Sequence, residues 1–169
     1  GSGKEDKLSY VNDPAIDRSR LRWNNVKYEP GEIKVVVYDE NGKEVGAETV
    51  RTAGAASRIQ LTGDLGADIK PLKADGEDMT FITVNILDKA GNLVPDACNP
   101  IHVSVTGTAH FKGICNGDAT STEVFTKPTM KAFHGQLVIG IQNNGKRGAA
   151  TVNVTSKGLK PATIIVNSK

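Results

Sequence analysis

The stretch Met79-Thr80-Phe81-Ile82-Thr83-Val84-Asn85-Ile86-Leu87, followed by Asp88-Lys89-Ala90-Gly91-Asn92, decides the fold. Ile82, Val84 and Ile86 recur at every second position with Thr83 and Asn85 between them, which puts one apolar and one wet face on an extended chain. The run is a half-buried β-strand. Asp88 to Asn92 then supplies turn chemistry, because Asp bonds its own backbone and Gly91 is free to take positive φ. Outward from this strand the same alternation recurs in Arg58–Thr62, Ile101–Thr106, Ala109–Ile114, Gln136–Gln142, Ala149–Ser156 and Thr163–Asn167. The inward sets are Ile101, Val103 and Val105; Leu137, Ile139 and Ile141; Val152 and Val154; Ile164 and Val166. No window sustains three turns of amphipathic helix.

Seven strands over residues 57–169 predict an all-β, Ig-like β-sandwich, long enough to bury a core without disulfide help. Asn143-Asn144-Gly145-Lys146 predicts a hairpin, and Gly158-Leu159-Lys160-Pro161 a break before the last strand. The segment from Asn116 to Gly135 alternates little. Such long loops often carry function, but the favoured reading packs this one along a sandwich edge, with Val124, Phe125 and Phe133 as anchors.

Residues 4–56 differ from the rest. Ser19–Trp23, Glu32–Tyr38 and Lys43–Arg51 make three strands, the last two joined by Asp39-Glu40-Asn41-Gly42, an Asn-Gly hairpin signal. Three strands cannot close a sandwich, so this reads as a partial, truncated β-domain ending at the small-residue stretch Thr52-Ala53-Gly54-Ala55-Ala56. At about 25 cal/mol per Å², an uncovered face of Leu21, Trp23, Ile33, Val35 and Val37 would forfeit several kcal/mol. Packing against another domain, or a homo-oligomer formed through this first domain, is therefore expected.

Composition removes several functions. Among 169 residues, 21 basic against 19 acidic side chains leave a net charge of +2, with no massed cations to suggest nucleic acid or an anionic membrane as partner. The neighbourhood of Val35-Val36-Val37 is the longest apolar run, far short of the roughly 20 residues of a membrane span. No signal peptide is expected at the start of the chain. Cys98, Cys115 and three scattered histidines lack metal-site spacing, so no metal and no cofactor is expected. A two-residue turn at Thr106-Gly107 would set position 98 opposite 115 across a hairpin and permit one disulfide. The alternative, and the better reading for cysteines in general, is two buried or half-buried thiols.

Candidate chemistry is thin. Asp75, Glu77 and Asp78 cluster, and paired carboxyls are what glycoside hydrolysis requires. Asp75-Gly76 is also ordinary turn chemistry before a strand, which is the preferred reading, and the twelve-residue calcium pattern is missing. No Gly-x-Ser-x-Gly elbow or phosphate-binding glycine loop occurs. Trp23, Tyr28 and Tyr38 could stack on sugar rings, and Asn116, Asp118 and His134 could meet sugar hydroxyls. Only eight aromatics serve the whole chain, and Trp23 reads more readily as core or interface.

Five blocks, in order, carry a family resemblance. Arg22–Val36 with Thr49–Gly54 is similar to the back half of a β-domain in family 2 glycoside hydrolases of the β-galactosidase type, common in gut Bacteroidetes. Ala74–Asp78, Val84–Ala97, Asn116-Gly117-Asp118 and Lys131–Gly135 resemble the Ig-like C-terminal domain that follows it there. In that family the catalytic glutamates lie in an upstream (β/α)₈ barrel, and no segment here alternates strands with helices. The resemblance implies a non-catalytic structural tail of a secreted or periplasmic enzyme, packing on the barrel or on a neighbouring subunit. Its rivals are a carbohydrate-binding module, using Trp23 and Tyr28 or the loop of Asn116, Asp118 and His134, and an invasin-type adhesion repeat.

Overall fold

A computed structural model describes residues 26–63 and 68–169, which divide into two units between Val50 and Arg51. The expected strand Ser19–Trp23, with Leu21 and Trp23, lies outside the described residues. The described part of the first unit is a two-stranded hairpin, β1 (Glu32–Tyr38) and β2 (Glu44–Arg51). Its turn is built as the sequence dictates. Asp39 Oδ1 accepts the N–H groups of Asn41 and Lys43, both at 2.9 Å, and Gly42 takes a φ of 77°. Ile33, Val35 and Val37 share one face of β1 and all are exposed.

The second unit is a β-sandwich of two antiparallel four-stranded sheets. Its strands are β3 (Arg58–Thr62), β4 (Met79–Leu87), β5 (Pro100–Gly107), β6 (Ala109–Cys115), β7 (Thr129–Lys131), β8 (Gln136–Asn143), β9 (Gly148–Thr155) and β10 (Ala162–Ser168). One sheet runs β10-β9-β5-β7, the other β3-β4-β8-β6. Their facing residues interdigitate: Ile82, Val84 and Ile86 of β4 and Ile139 and Ile141 of β8 meet Ile101 of β5 and Val152 and Val154 of β9, all fully buried. No helix occurs among the described residues. Thr52–Ala56 is docked on the sandwich, with Ala53 and Ala56 packed against its core.

Three expectations are corrected. Thr106-Gly107 does not join a hairpin, because β5 pairs with β9 and β6 with β8, so the chain crosses from one sheet to the other there. Cys98 and Cys115 are consequently not opposed. Both are free and exposed, neither bridged nor half-buried. Asn143–Gly148 likewise crosses between sheets, since β8 and β9 belong to different layers. The two crossings are stapled side by side: Asn144 N–H donates to Thr108 O (3.1 Å) and Thr108 N–H to Ala149 O (3.2 Å). A Cβ on Gly107, at φ 93°, would collide with the Ala149 carbonyl.

The third correction concerns the long loop, which holds the extra strand β7 at the edge of the β5 sheet. Its anchors are Met130, 1% exposed, and Ala132, while Val124, Phe125 and Phe133 remain exposed. The loop does lie along strand edges as expected. Ile114 N–H donates to Phe125 O and Val103 N–H to Pro128 O, both at 2.9 Å. Other rims are tied in the same way: Leu72 N–H donates to Asn167 O (2.8 Å), Ala74 N–H to Lys169 O (2.9 Å) and Ile59 N–H to Lys160 O (3.0 Å).

Candidate functional site

Asn116 follows β6 directly, and Gly117, at φ 79°, turns the chain away from the sheet. The Asn116 side chain then organises the loop: Oδ1 accepts the Asp118 N–H (3.0 Å) and Nδ2 donates to Lys131 O (2.9 Å). Asp118 Oδ1 in turn accepts the Thr120 hydroxyl (2.7 Å) and the Thr120 N–H (2.9 Å). These bonds, the hydroxyl's foremost, hold the Asp118 carboxyl below the usual carboxylate range, and the charge of His134 adds to them.

His134 sits in a tight turn whose ends, Phe133 and Gln136, exchange N–H···O bonds of 2.9 and 3.0 Å. Positive φ at both central residues, 49° at His134 and 75° at Gly135, is the mirror-image geometry that L-residues other than Asn, Asp and His seldom adopt. His134 Nδ1 lies 3.0 Å from Pro95 O, and its ring centroid is 4.1 Å from that of Phe133. The fold thus brings Asn116, Asp118 and His134 to one end of the sandwich. Tyr28 is exposed in the other unit, ahead of β1, and Trp23 lies outside the described residues.

Asp75, Glu77 and Asp78 form the turn ahead of β4. Asp75 Oδ1 accepts the N–H groups of Glu77 and Asp78, both at 2.8 Å, and these bonds lower the Asp75 pKa. Asp78 Oδ2 accepts the Lys73 N–H at 2.7 Å. Two of these carboxylates are thus occupied with main-chain donors. Among the described residues no group of three His, Cys, Asp or Glu is placed to hold a metal ion.

Two polar hubs went unread as such in the sequence. Asp88, 4% exposed, takes the Gly54 N–H (2.8 Å) and Asn92 Nδ2 (3.0 Å) on Oδ2 and the Asn92 N–H (2.8 Å) on Oδ1. Those bonds, the Gly54 N–H first, lower its pKa to about 2. Asn143, fully buried, donates to Thr108 O (3.0 Å), Lys146 O (3.0 Å) and Ser168 Oγ (2.9 Å) and accepts the N–H groups of Gly76 (3.2 Å) and Gly145 (2.6 Å). The signal for Asp88 was its place in the Asp-x-x-Gly-Asn turn; for Asn143 only the bonds to Gly145 and Lys146 within its own turn were local, while Gly76, Thr108 and Ser168 are far away in sequence. Both serve the fold.

Comparison with known proteins assigns this frame. The family described as Glycoside hydrolase family 2 C-terminal domain 5 matches residues 64–165, and a domain of unknown function, DUF4982, matches residues 3–46. The chain is 40% identical over 154 residues to Beta-galactosidase BoGH2A of Bacteroides ovatus, a match covering 91% of this chain and 17% of that protein. It is 24% identical over 164 residues to a beta-glucuronidase of Formosa agariphila, covering 96% of this chain and 16% of that one. A glycosyl hydrolase family 2 member from Bacteroides cellulosilyticus superposes with a TM-score of 0.78 at 27% identity, over 89% of this chain and 20% of that one. The chain thus spans about a sixth of the length of the curated relatives it matches. With the all-β sandwich in place and the family match running from the loop before β4 into β10, the chain belongs to the glycoside hydrolase family 2 C-terminal domain 5 family.

Proposed function

We propose that this chain is a non-catalytic accessory module of a longer family 2 glycosidase, β-galactosidase-like, with an architectural role. The observation that carries the reading is the relation of lengths: the match takes in 91% of this chain and 17% of a β-galactosidase. The carboxylates support it. Glycoside hydrolysis needs two carboxyls facing each other across a bond, about 5 to 10 Å apart, one with a raised pKa. Here the Asp75 carboxyl is lowered, and Asp75 and Asp78 accept main-chain N–H groups of their own turn. The same reading makes other domains of the longer polypeptide the partners and gives that polypeptide a periplasmic or secreted location.

The rival role, holding glycan through Asn116, Asp118 and His134, is weakened by the bonds these side chains already make. Both polar atoms of Asn116 and Oδ1 of Asp118 are engaged within the loop segment. One pair of measurements tests the reading. The purified chain is expected to leave a chromogenic β-galactoside intact while the longer polypeptide cleaves it. Galactosides titrated into the chain are expected to produce no saturable chemical-shift change at Asn116, Asp118, His134 or Tyr28. Turnover by the isolated chain, or saturation confined to those residues, overturns it.

A further inference from the structure

The two outer faces of the sandwich differ in chemistry. Outward positions on the β10-β9-β5 face are occupied by His102, Ser104, Thr151, Asn153 and Thr163, with Ile165 the lone large apolar side chain among them. On the β4-β8-β6 face, Phe81 is 52% exposed, Phe125 52%, Met79 37% and Val138 37%. These four rim a groove of about 240 Å³ whose floor is formed by glycines.

The floor follows from the register. Gly140 of β8 lies opposite Phe81 of β4 on one side and Gly113 of β6 on the other, just past a bulge in β6. Neither glycine takes positive φ, and a Cβ on Gly140 would meet nothing closer than 3.5 Å, one on Gly113 nothing closer than 3.4 Å. The backbone would accept alanine at both places, although glycine inside a strand costs about 0.5–1 kcal/mol. Their effect is to keep the groove open. The groove is smaller than the roughly 300–1,000 Å³ of small-molecule sites, and Lys112 is its one charged lining residue, so it lacks the convergent polar groups that a sugar requires. An apolar side chain of another protein surface fits.

We propose that this groove is where the module seats against another part of the same longer polypeptide, which inserts an aliphatic or aromatic side chain over Gly113 and Gly140. The proposal rests on the accessory reading and adds the surface. The four rim side chains offer apolar area on the order of 300 Å², short of the roughly 800 Å² per partner that freely associating copies bury. A neighbour joined through the chain needs less, because connection supplies an effective concentration near millimolar. The relatives' length, about six times that of this chain, supplies such a neighbour.

A built-in probe tests this. Cys115 lines the groove, whereas Cys98 is exposed in the loop before β5. Both thiols are alkylated with iodoacetamide under native conditions, in the 169-residue chain and in the longer polypeptide, and followed by peptide mass spectrometry. Cys115 is expected to react at least about tenfold more slowly in the longer polypeptide, a difference of about 1.4 kcal/mol in exposure. Phe81→Glu in the longer polypeptide should restore its rate, and Ile165→Glu on the opposite face should not. Equal Cys115 rates in the two proteins overturn the proposal. If amide exchange then slows on the β9-β10 face instead, the accessory reading survives without this surface; if no part of the module is protected, both fall. Concentration-dependent slowing of Cys115 in the 169-residue chain would assign the groove to a second copy and also overturn the proposal.

Discussion

Val37 in β1 and Ile82 in β4 occupy the same kind of position, an apolar residue on an alternating strand, yet Val37 is 51% exposed and Ile82 is fully buried. The strands differ little in local pattern. What differs is the second layer: β4 faces the β10-β9-β5-β7 sheet, while β1 and β2 form a two-stranded sheet of their own. Alternation tells which face of a strand is apolar; it does not tell what covers that face. A two-stranded sheet is marginal by itself in water, whereas the sandwich carries its own second layer.

The comparison is most directly broken by truncating both side chains. Ile82→Ala should destabilise the sandwich by about 4 kcal/mol, transfer plus cavity, and Val37→Ala should change stability by less than about 0.5 kcal/mol, both read by urea unfolding. Comparable losses would mean that the hairpin is as well covered as the core. The turns provide a second contrast. Gly135 (φ 75°) and Gly42 (φ 77°) share a backbone conformation, but a Cβ on Gly135 runs into the Val94 carbonyl while one on Gly42 meets open space. Gly135→Ala should therefore cost about 3 kcal/mol or more and Gly42→Ala about 1 kcal/mol, the part due to φ alone.

Buried polar hubs sharpen the contrast further. Asn143→Ala leaves the Gly76 and Gly145 N–H groups and the Thr108 carbonyl without that partner and should cost about 2 kcal/mol. Asn41→Ala, in the exposed hairpin turn, should cost less than about 0.5 kcal/mol. The smallest effect is one of pH. The Asp88 carboxyl is lowered from 3.8 to about 2, so its contribution to the sandwich is complete above pH 4 and is lost as pH falls through 2. Wild type should lose stability across that window more steeply than Asp88→Asn. Parallel acid profiles for the two would remove Asp88 as a support of the Gly54 segment.

Much of the sandwich was legible because its strands are amphipathic with period two. Ile82, Val84, Ile86, Leu137, Ile139, Ile141, Val152 and Val154 were all read as inward, and all are buried. Sheet membership was not legible. Thr106-Gly107 and Asn144-Gly145 carry the chemistry of tight turns, and a tight turn serves a sheet-to-sheet crossing as well as a hairpin, so the β5–β6 pairing and the Cys98–Cys115 bridge built on it failed. β7 was missed because three residues are too few to show a period, and Met130 was a better anchor than any of the larger aromatics nearby. The loop candidates Asn116, Asp118 and His134 were found by residue type and are close in space. That they bond inward, to their own loop and to the Pro95 carbonyl, depends on partners 2 to 39 positions away.

The tied rims of the sandwich have a consequence for its synthesis. β7 is three residues long, the end of β10 is bonded by Leu72 and Ala74, and β6 receives the Phe125 carbonyl, so these borders are each tied at one or more points. Open borders of that kind recruit strands from whatever emerges beside them. In the longer polypeptide proposed above, borders tied in this way would lower the risk of mispairing with neighbouring strand-rich segments during translation.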